Sequence, residues 1–244
     1  MRVFAMGDLH LSFTEMVNPD QWEVVNEHKP MGCFGNGWEK HYKKIYANWR
    51  RLVAEDDLVL VPGDISWAMK LDDIDCDFDF ISMLSGNKVF VQGNHDYWWQ
   101  SVSKVRERLP KDCFAIQNDS LNVGQVTLAG TRGWLCPNDR QFTSHDKKIY
   151  NREILRLEMS LSSIKDRKET LISMMHYMPT NDKYEMNEFI ELMQQYSVDI
   201  CVYGHLHGPA HNMRLPKEKW GIQFQLVSAD YLRFAPKEIQ IGKA

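Results

Sequence analysis

Five of the nine histidines lie just past short apolar stretches, next to Asp, Asn or Gly. Val3–Met6 leads into Gly7-Asp8-Leu9-His10, Leu58–Val61 into Gly63-Asp64, and Val89–Val91 into Gly93-Asn94-His95-Asp96. Leu171–Met175 leads into His176, and Ile200–Tyr203 into Gly204-His205-Leu206-His207. Imidazole, carboxylate and carboxamide oxygen without a thiolate form a donor set suited to Mn, Fe or Zn. The eight groups Asp8, His10, Asp64, Asn94, His95, His176, His205 and His207 are too many for one tetrahedral ion and about right for two. On extended backbone, residues i and i+2 share a face, so Asp8 with His10, and His205 with His207, are expected to project together. Gly7, Gly63, Gly93 and Gly204 permit close turns beside these donors. One Asp at a strand end is ordinarily a turn residue. The ordered set of five blocks, each after a strand, is what carries the chemical reading.

The blocks need elements that bring them together. Each apolar stretch has strand length, and loops at the ends of neighbouring strands converge, as in other α/β sites. Apolar residues recur at helical spacing in Trp38–Leu52, Ile74–Ile81, Trp98–Leu109, Tyr150–Leu161 and Phe189–Tyr196, which predicts helices between the strands. The stretch Leu121–Val126 reads as a hairpin, and Ile222–Val227 is expected to add antiparallel character, so the sheets should be mixed. No repeat or linker divides the chain, and residues 1–244 are read as one domain with an insertion at about 12–56.

The ordered blocks resemble those of the calcineurin-like metallophosphoesterases: Asp-x-His, Gly-Asp, Gly-Asn-His-Asp/Glu, His, and Gly-His-x-His. The resemblance spans Asp8 to His207. It implies an α/β fold, a four-layer α/β/β/α sandwich of two mixed β-sheets flanked by helices. Carried over by motif, Asp8, His10 and His207 would hold one metal ion, and Asn94, His176 and His205 a second, with Asp64 bridging both. His95 would be the catalytic residue facing the phosphate. The implied reaction is hydrolysis of a phosphomonoester or phosphodiester by a metal-bridging hydroxide, with two divalent ions (Mn, Fe or Zn) as cofactors. The family's Ser/Thr protein phosphatases continue the second block as Gly-Asp-x-Val-Asp-Arg-Gly, whereas this chain reads Gly63-Asp64-Ile65-Ser66-Trp67-Ala68. Trp67 stands where the carboxylate that orients the histidine is expected, leaving Asp96 and Asp72 as candidate partners of His95. A protein phosphatase is therefore disfavoured.

The remaining features narrow the classes. Hydrophobic residues make up 43% and charged residues 25%, a globular balance. No apolar run approaches the roughly 20 residues of a membrane span, and the N-terminus lacks a secretory signal core, so a cytoplasmic protein is expected. Cys33, Cys76, Cys113, Cys136 and Cys201 form no Cys-x-x-Cys pair, which argues against a disulfide framework or thiolate zinc. The net charge of −4 gives little support to the alternative of a nuclease with nucleic acid as partner. A non-catalytic metal-binding scaffold is disfavoured because every block is intact. The expected partner is a small phosphate ester, for which Asn94, His95, Arg132 and Trp98 are candidate contacts. From His10 to Asp64 the chain is too long for a single crossover, and Phe13–Gly37 is expected to form a partial cover over the site.

Overall fold

The computed structural model describes residues 1–242. Eleven strands form two mixed sheets. The first contains β1 (Val3–Ala5), β2 (Leu58–Pro62), β3 (Asn87–Val91), β4 (Cys113–Ala115) and β11 (Lys237–Ile239), in the order β11-β1-β2-β3-β4. The second contains β5 (Leu121–Val123), β6 (Val126–Thr131), β7 (Thr170–Met175), β8 (Ile200–Tyr203), β9 (Glu218–Lys219) and β10 (Ile222–Leu226), in the order β5-β6-β7-β8-β10-β9. The central strands run parallel, and β11, β5 and β9 add antiparallel edges. β5 and β6 form the expected hairpin. β10 differs from expectation: it pairs in parallel with β8, and only the two-residue β9 runs against it.

Both faces of each sheet are covered, which explains why the strands read as continuous apolar runs rather than alternating ones. Val3, Ala5, Leu58, Leu60, Val89 and Val91 point inward and meet Leu128, Ile172, Met174, Ile200 and Val202 of the other sheet. The alternate residues Phe4, Val59, Val61 and Phe90 face outward, onto α1 (His41–Leu52), α2 (Asp75–Ser82) and α3 (Val102–Arg108). Ala129, Leu171, Met175, Cys201 and Tyr203 face α4 (Ser144–Ser162) and α5 (Glu188–Gln195). Each fully buried Val, Leu or Ile contributes roughly 1.5–3 kcal/mol by leaving water. The result is helices, sheet, sheet, helices.

The five helices overlap the predicted periodic segments, with three shifts at their starts, the largest at α4, which begins at Ser144 rather than Tyr150. Trp38 lies in a 3-10 turn ahead of α1, and Trp98 lies in the loop ahead of α3. α1 buries Tyr42, Ile45 and Trp49 against the first sheet, so it serves as the crossover helix from β1 to β2. The additional chain is the 12–40 segment, built of short 3-10 turns. At the ends of the strands the two sheets are joined: Gly7 bridges Ser228, and Gly7 N donates to Val227 O at 2.8 Å.

Candidate metal centre

The five blocks emerge from β1, β2, β3, β7 and β8 at this joined end. Asp8 N donates to Gly63 O and His10 N to Asp64 O, both at 2.9 Å, while Gly204 N donates to His176 O at 3.1 Å. Asp8, His10, Asp64 and His205 have φ of 59°, 47°, 53° and 69°. The expected extended geometry of the two i, i+2 pairs is therefore wrong. Left-handed turns, not a shared strand face, aim Asp8, His10 and His205, and such strain persists only where surrounding bonds impose it. Gly204 is obligatory for a different reason: a Cβ there would overlap the Asp8 carboxylate.

Asp64 Oδ2 sits between two groups of donors, 3.7 Å from His10 Nε2 and 3.5 Å from His176 Nε2. On one side His10 Nε2 faces His207 Nε2 at 3.4 Å, and His207 Nε2 is 3.4 Å from Asp8 Oδ1. On the other side His176 Nε2 is 2.7 Å from Asn94 Oδ1 and 3.2 Å from His205 Nδ1. His176 Nδ1 lies 3.0 Å from Pro62 O, which can only accept, so Nδ1 carries the proton and Nε2 presents a lone pair. It presents that lone pair to Asn94 Oδ1, another acceptor. Such converging acceptors fit a cation, and the sulfur-free N/O set suits Mn, Fe or Zn. Asp8, His10 and His207 offer atoms within 4.8 Å of one another, as do Asp8, Asp64 and His176. In the latter set the nitrogen facing Asp8 is Nδ1 at 3.9 Å, already committed to Pro62, so Asp8 belongs with His10 and His207.

The electrostatics of these bare side chains match that reading. Burial and then the Asp8 charge push the Asp64 carboxyl up to about 8. Burial opposes charging of His207, but Asp8 and Asp230 outweigh it and raise His207 to about 10. Burial holds His205 down at about 3. Divalent charge would relieve the crowding of buried carboxylates and take the place of the His207 proton.

His95 is half-buried beside the two groups. Its backbone N–H donates to Asp64 Oδ1 at 2.8 Å, and its ring packs on Trp67 with centroids 4.2 Å apart. Neither candidate acid partners it. Asp96 is fully buried and accepts from the N–H groups of Gly93, Asp64, Ile65 and Ser66 and from Trp98 Nε1. Asp72 is exposed and makes no hydrogen bond to His95 among the described residues. The polar neighbour of the ring is Tyr97, whose hydroxyl is 3.4 Å from Nδ1.

One expected substrate contact is placed elsewhere. Trp98 is fully buried against Phe78 and Trp99, so it offers no surface to a ligand; its position in sequence beside His95 misled. Arg132 is turned to Glu153 at 3.4 Å and lies over Trp134, while its carbonyl accepts from His176 N at 3.1 Å. The sequence reading missed Asp230, whose Oδ1 is 2.9 Å from His207 Nδ1 and which orients that ring. It follows the late apolar run as the other acids follow theirs, and that signal could have found it. Tyr177, whose ring packs at a tilt 4.0 Å from His205, was also missed.

Comparison with known proteins supplies the identity of this arrangement. The sequence model described as "Calcineurin-like phosphoesterase" matches residues 1–209. The chain belongs to that family. Membership makes the protein a metal-dependent phosphoesterase and implies divalent metal ions. No match was found among curated proteins. Two similar solved structures are phosphopantetheinyl hydrolase (PptH) from Mycobacterium tuberculosis and TT1561 of Thermus thermophilus. PptH has 13% identity and a TM-score of 0.52, covering 100% of this chain and 98% of its own. TT1561 has 12% identity and a TM-score of 0.51, covering 98% of each. At such identities they attest the shared fold. As in other calcineurin-like phosphoesterases, the chemistry must be argued from the site. No helix among the described residues is long and apolar enough to cross a membrane.

Proposed function

We propose that the protein hydrolyses a small phosphate ester using two divalent cations held side by side, one by Asp8, His10 and His207, the other by Asn94, His176 and His205, with Asp64 shared. The observation that carries this reading is the single Asp64 oxygen lying 3.7 and 3.5 Å from the foremost nitrogens of the two groups. When bound, a pair of cations lowers the pKa of water and stabilises charge on the phosphoryl oxygens. The chain's own residues do the rest. Asp64 balances charge between the two groups, and Asp230 and Pro62 O fix the His207 and His176 rings so that their lone pairs face inward.

His95 supplies a hydrogen bond or proton to the leaving oxygen. Burial, then His176 and Lys29, hold its pKa down at about 4. The negative charge of a bound phosphate opposes that shift, returning the ring toward the range useful for proton transfer. A small substrate is supported by a cavity of about 370 Å³ that opens beside His205 and is walled by Trp134, Tyr177, Met178, Leu206 and Met213. Its apolar lining with Arg140 and Thr180 among the polar groups suits an organic leaving group of modest size. We further propose that the segment Phe13–Gly37 limits access. Phe13, Val17 and Met31 are anchored in the core, while Lys29 and the adjoining Trp38 border the His10 side.

The test is a screen of the Mn²⁺-reconstituted protein against a monoester, a diester, nucleotides and single-stranded DNA, with metal content measured in parallel. Turnover of small esters with about two ions per chain supports the reading. Activity on DNA alone would replace it with a nuclease.

A further inference from the structure

We propose that Lys29 is an anion-binding residue of this centre and makes the site prefer phosphate monoesters, whose terminal group carries two negative charges, over diesters, which carry one. The inference deepens the reading given above and rests on it for the identity of the anion.

The first observation concerns position. Lys29 sits at the end of a loop whose two arms are hydrogen-bonded to each other: Thr14 N to Asn26 O at 3.1 Å, His28 N to Ser12 O at 2.9 Å, and Ser12 Oγ to Lys29 O at 3.0 Å. The first arm is fixed in turn. Phe13 N donates to the buried Asp77 carboxylate at 2.8 Å, and Trp67 N donates to Leu11 O at 2.8 Å. The backbone of Lys29 is thus tied to the loop that carries Asp64, although 35 positions separate the two residues in the chain.

The second observation concerns the side chain. The Lys29 ammonium lies 3.1 Å from the centre of the Trp67 indole. That indole packs on His95 at 4.2 Å and on His10 at 5.1 Å. The charge is therefore no farther from the His95 ring than the sum of the 3.1 and 4.2 Å separations. Among the described residues Lys29 makes no salt bridge, while Lys40 pairs with Glu23 and Lys88 with Asp112. An aromatic face attracts a cation without neutralising it. The other cation expected to meet phosphate, Arg132, faces Glu153 at 3.4 Å, a carboxylate it shares with Arg152 and Arg156.

An unneutralised charge at this range acts in proportion to the ligand's own charge, and a partly water-excluded rim weakens the interaction less than open solvent. It therefore favours a doubly charged group. Trp67 has a part as well: its face holds the Lys29 ammonium, and the same indole packs on the His95 ring, in a position where this chain has no carboxylate.

The experiment uses the full chain reconstituted with Mn²⁺. Binding of inorganic phosphate is measured by titration calorimetry for the unaltered protein and for Lys29→Met, Lys29→Gln and Lys29→Arg, alongside metal content and melting temperature. The neutral variants are expected to bind phosphate about tenfold more weakly, as expected for loss of one charged contact, and Lys29→Arg to stay within about threefold. The ratio of kcat/KM for p-nitrophenyl phosphate to that for bis(p-nitrophenyl) phosphate should fall about tenfold, mainly through KM, with metal content unchanged. Two neutral variants are included so that early melting of one leaves the other to decide. Unchanged phosphate affinity in the neutral variants, or equal losses on both esters, overturns the proposal. Should the unaltered protein hydrolyse neither ester, the reaction reading fails, and the phosphate titration still decides the role of Lys29.

Discussion

The two donor groups around Asp64 are supported in different ways. His176 is fully buried and tied to a backbone carbonyl, Pro62 O, while Asn94 and His205 close around it. His207 is 32% exposed and is held by a side chain, Asp230, which also accepts from Gly208 N at 3.0 Å. A backbone support cannot rotate away, whereas a side-chain support can be removed by one substitution. The His176 ring is thereby the more rigidly supported of the two, and the His207 ring is the more exposed.

The largest effect that would break this contrast is loss of the residue common to both halves. Asp64→Ala is expected to reduce metal from about two ions per chain to well under one, while Asp8→Ala keeps the His176 side loaded. Elemental analysis after gel filtration reads both. Equal metal in Asp64→Ala and the unaltered protein removes the shared role. Next in size, His95→Ala should lower kcat by about 10²–10⁴-fold with both metals retained, because positioned proton donors contribute that much. The deficit should shrink for leaving groups of low pKa. Loss of metal in this variant would make His95 a support rather than a participant.

The contrast itself is sharpened by Asp230→Asn, which should weaken metal binding on the His207 side by about 10–100-fold and leave the other side unaffected. A biphasic Mn²⁺ titration in which only one phase moves is the expected result; a shift in both phases would mean that the halves are coupled. The smallest effect concerns kinetics: dilute EDTA should remove the two ions in two steps, the more exposed one first. Removal in a single step counts against the difference in support.

Much of this was legible in the sequence because burial on both faces leaves long apolar runs, and each run ends beside a side chain of the donor cluster. Val3–Met6 into Asp8 and Ile200–Tyr203 into His205 are clear examples. The edge strands β4, β9 and β11 were missed, being only three, two and three residues long and supported by one neighbouring strand each. Supports were harder to read than ligands. Asp230 acts on a histidine 23 positions away and Asp96 on amides about 30 away, distances over which spacing in sequence says nothing about contact. Trp98 shows the converse: only three positions past His95 in the chain, its indole is buried in the core against Phe78.

Asp96 has a consequence for motion. Its one carboxylate gathers the backbone N–H groups of Gly93, Asp64, Ile65 and Ser66, at distances of 2.7 to 3.1 Å, and so pins the loop after β2 to the loop after β3. Neither loop can fluctuate outward without tearing several charge-assisted bonds from the same acceptor. In hydrogen exchange the four amides should behave as a single cooperative unit, opening together on the timescale of the sheet rather than separately on that of surface loops. Asp64 and Asn94, one on each loop, would then keep their relative placement through every excursion short of unfolding that end of the sheet.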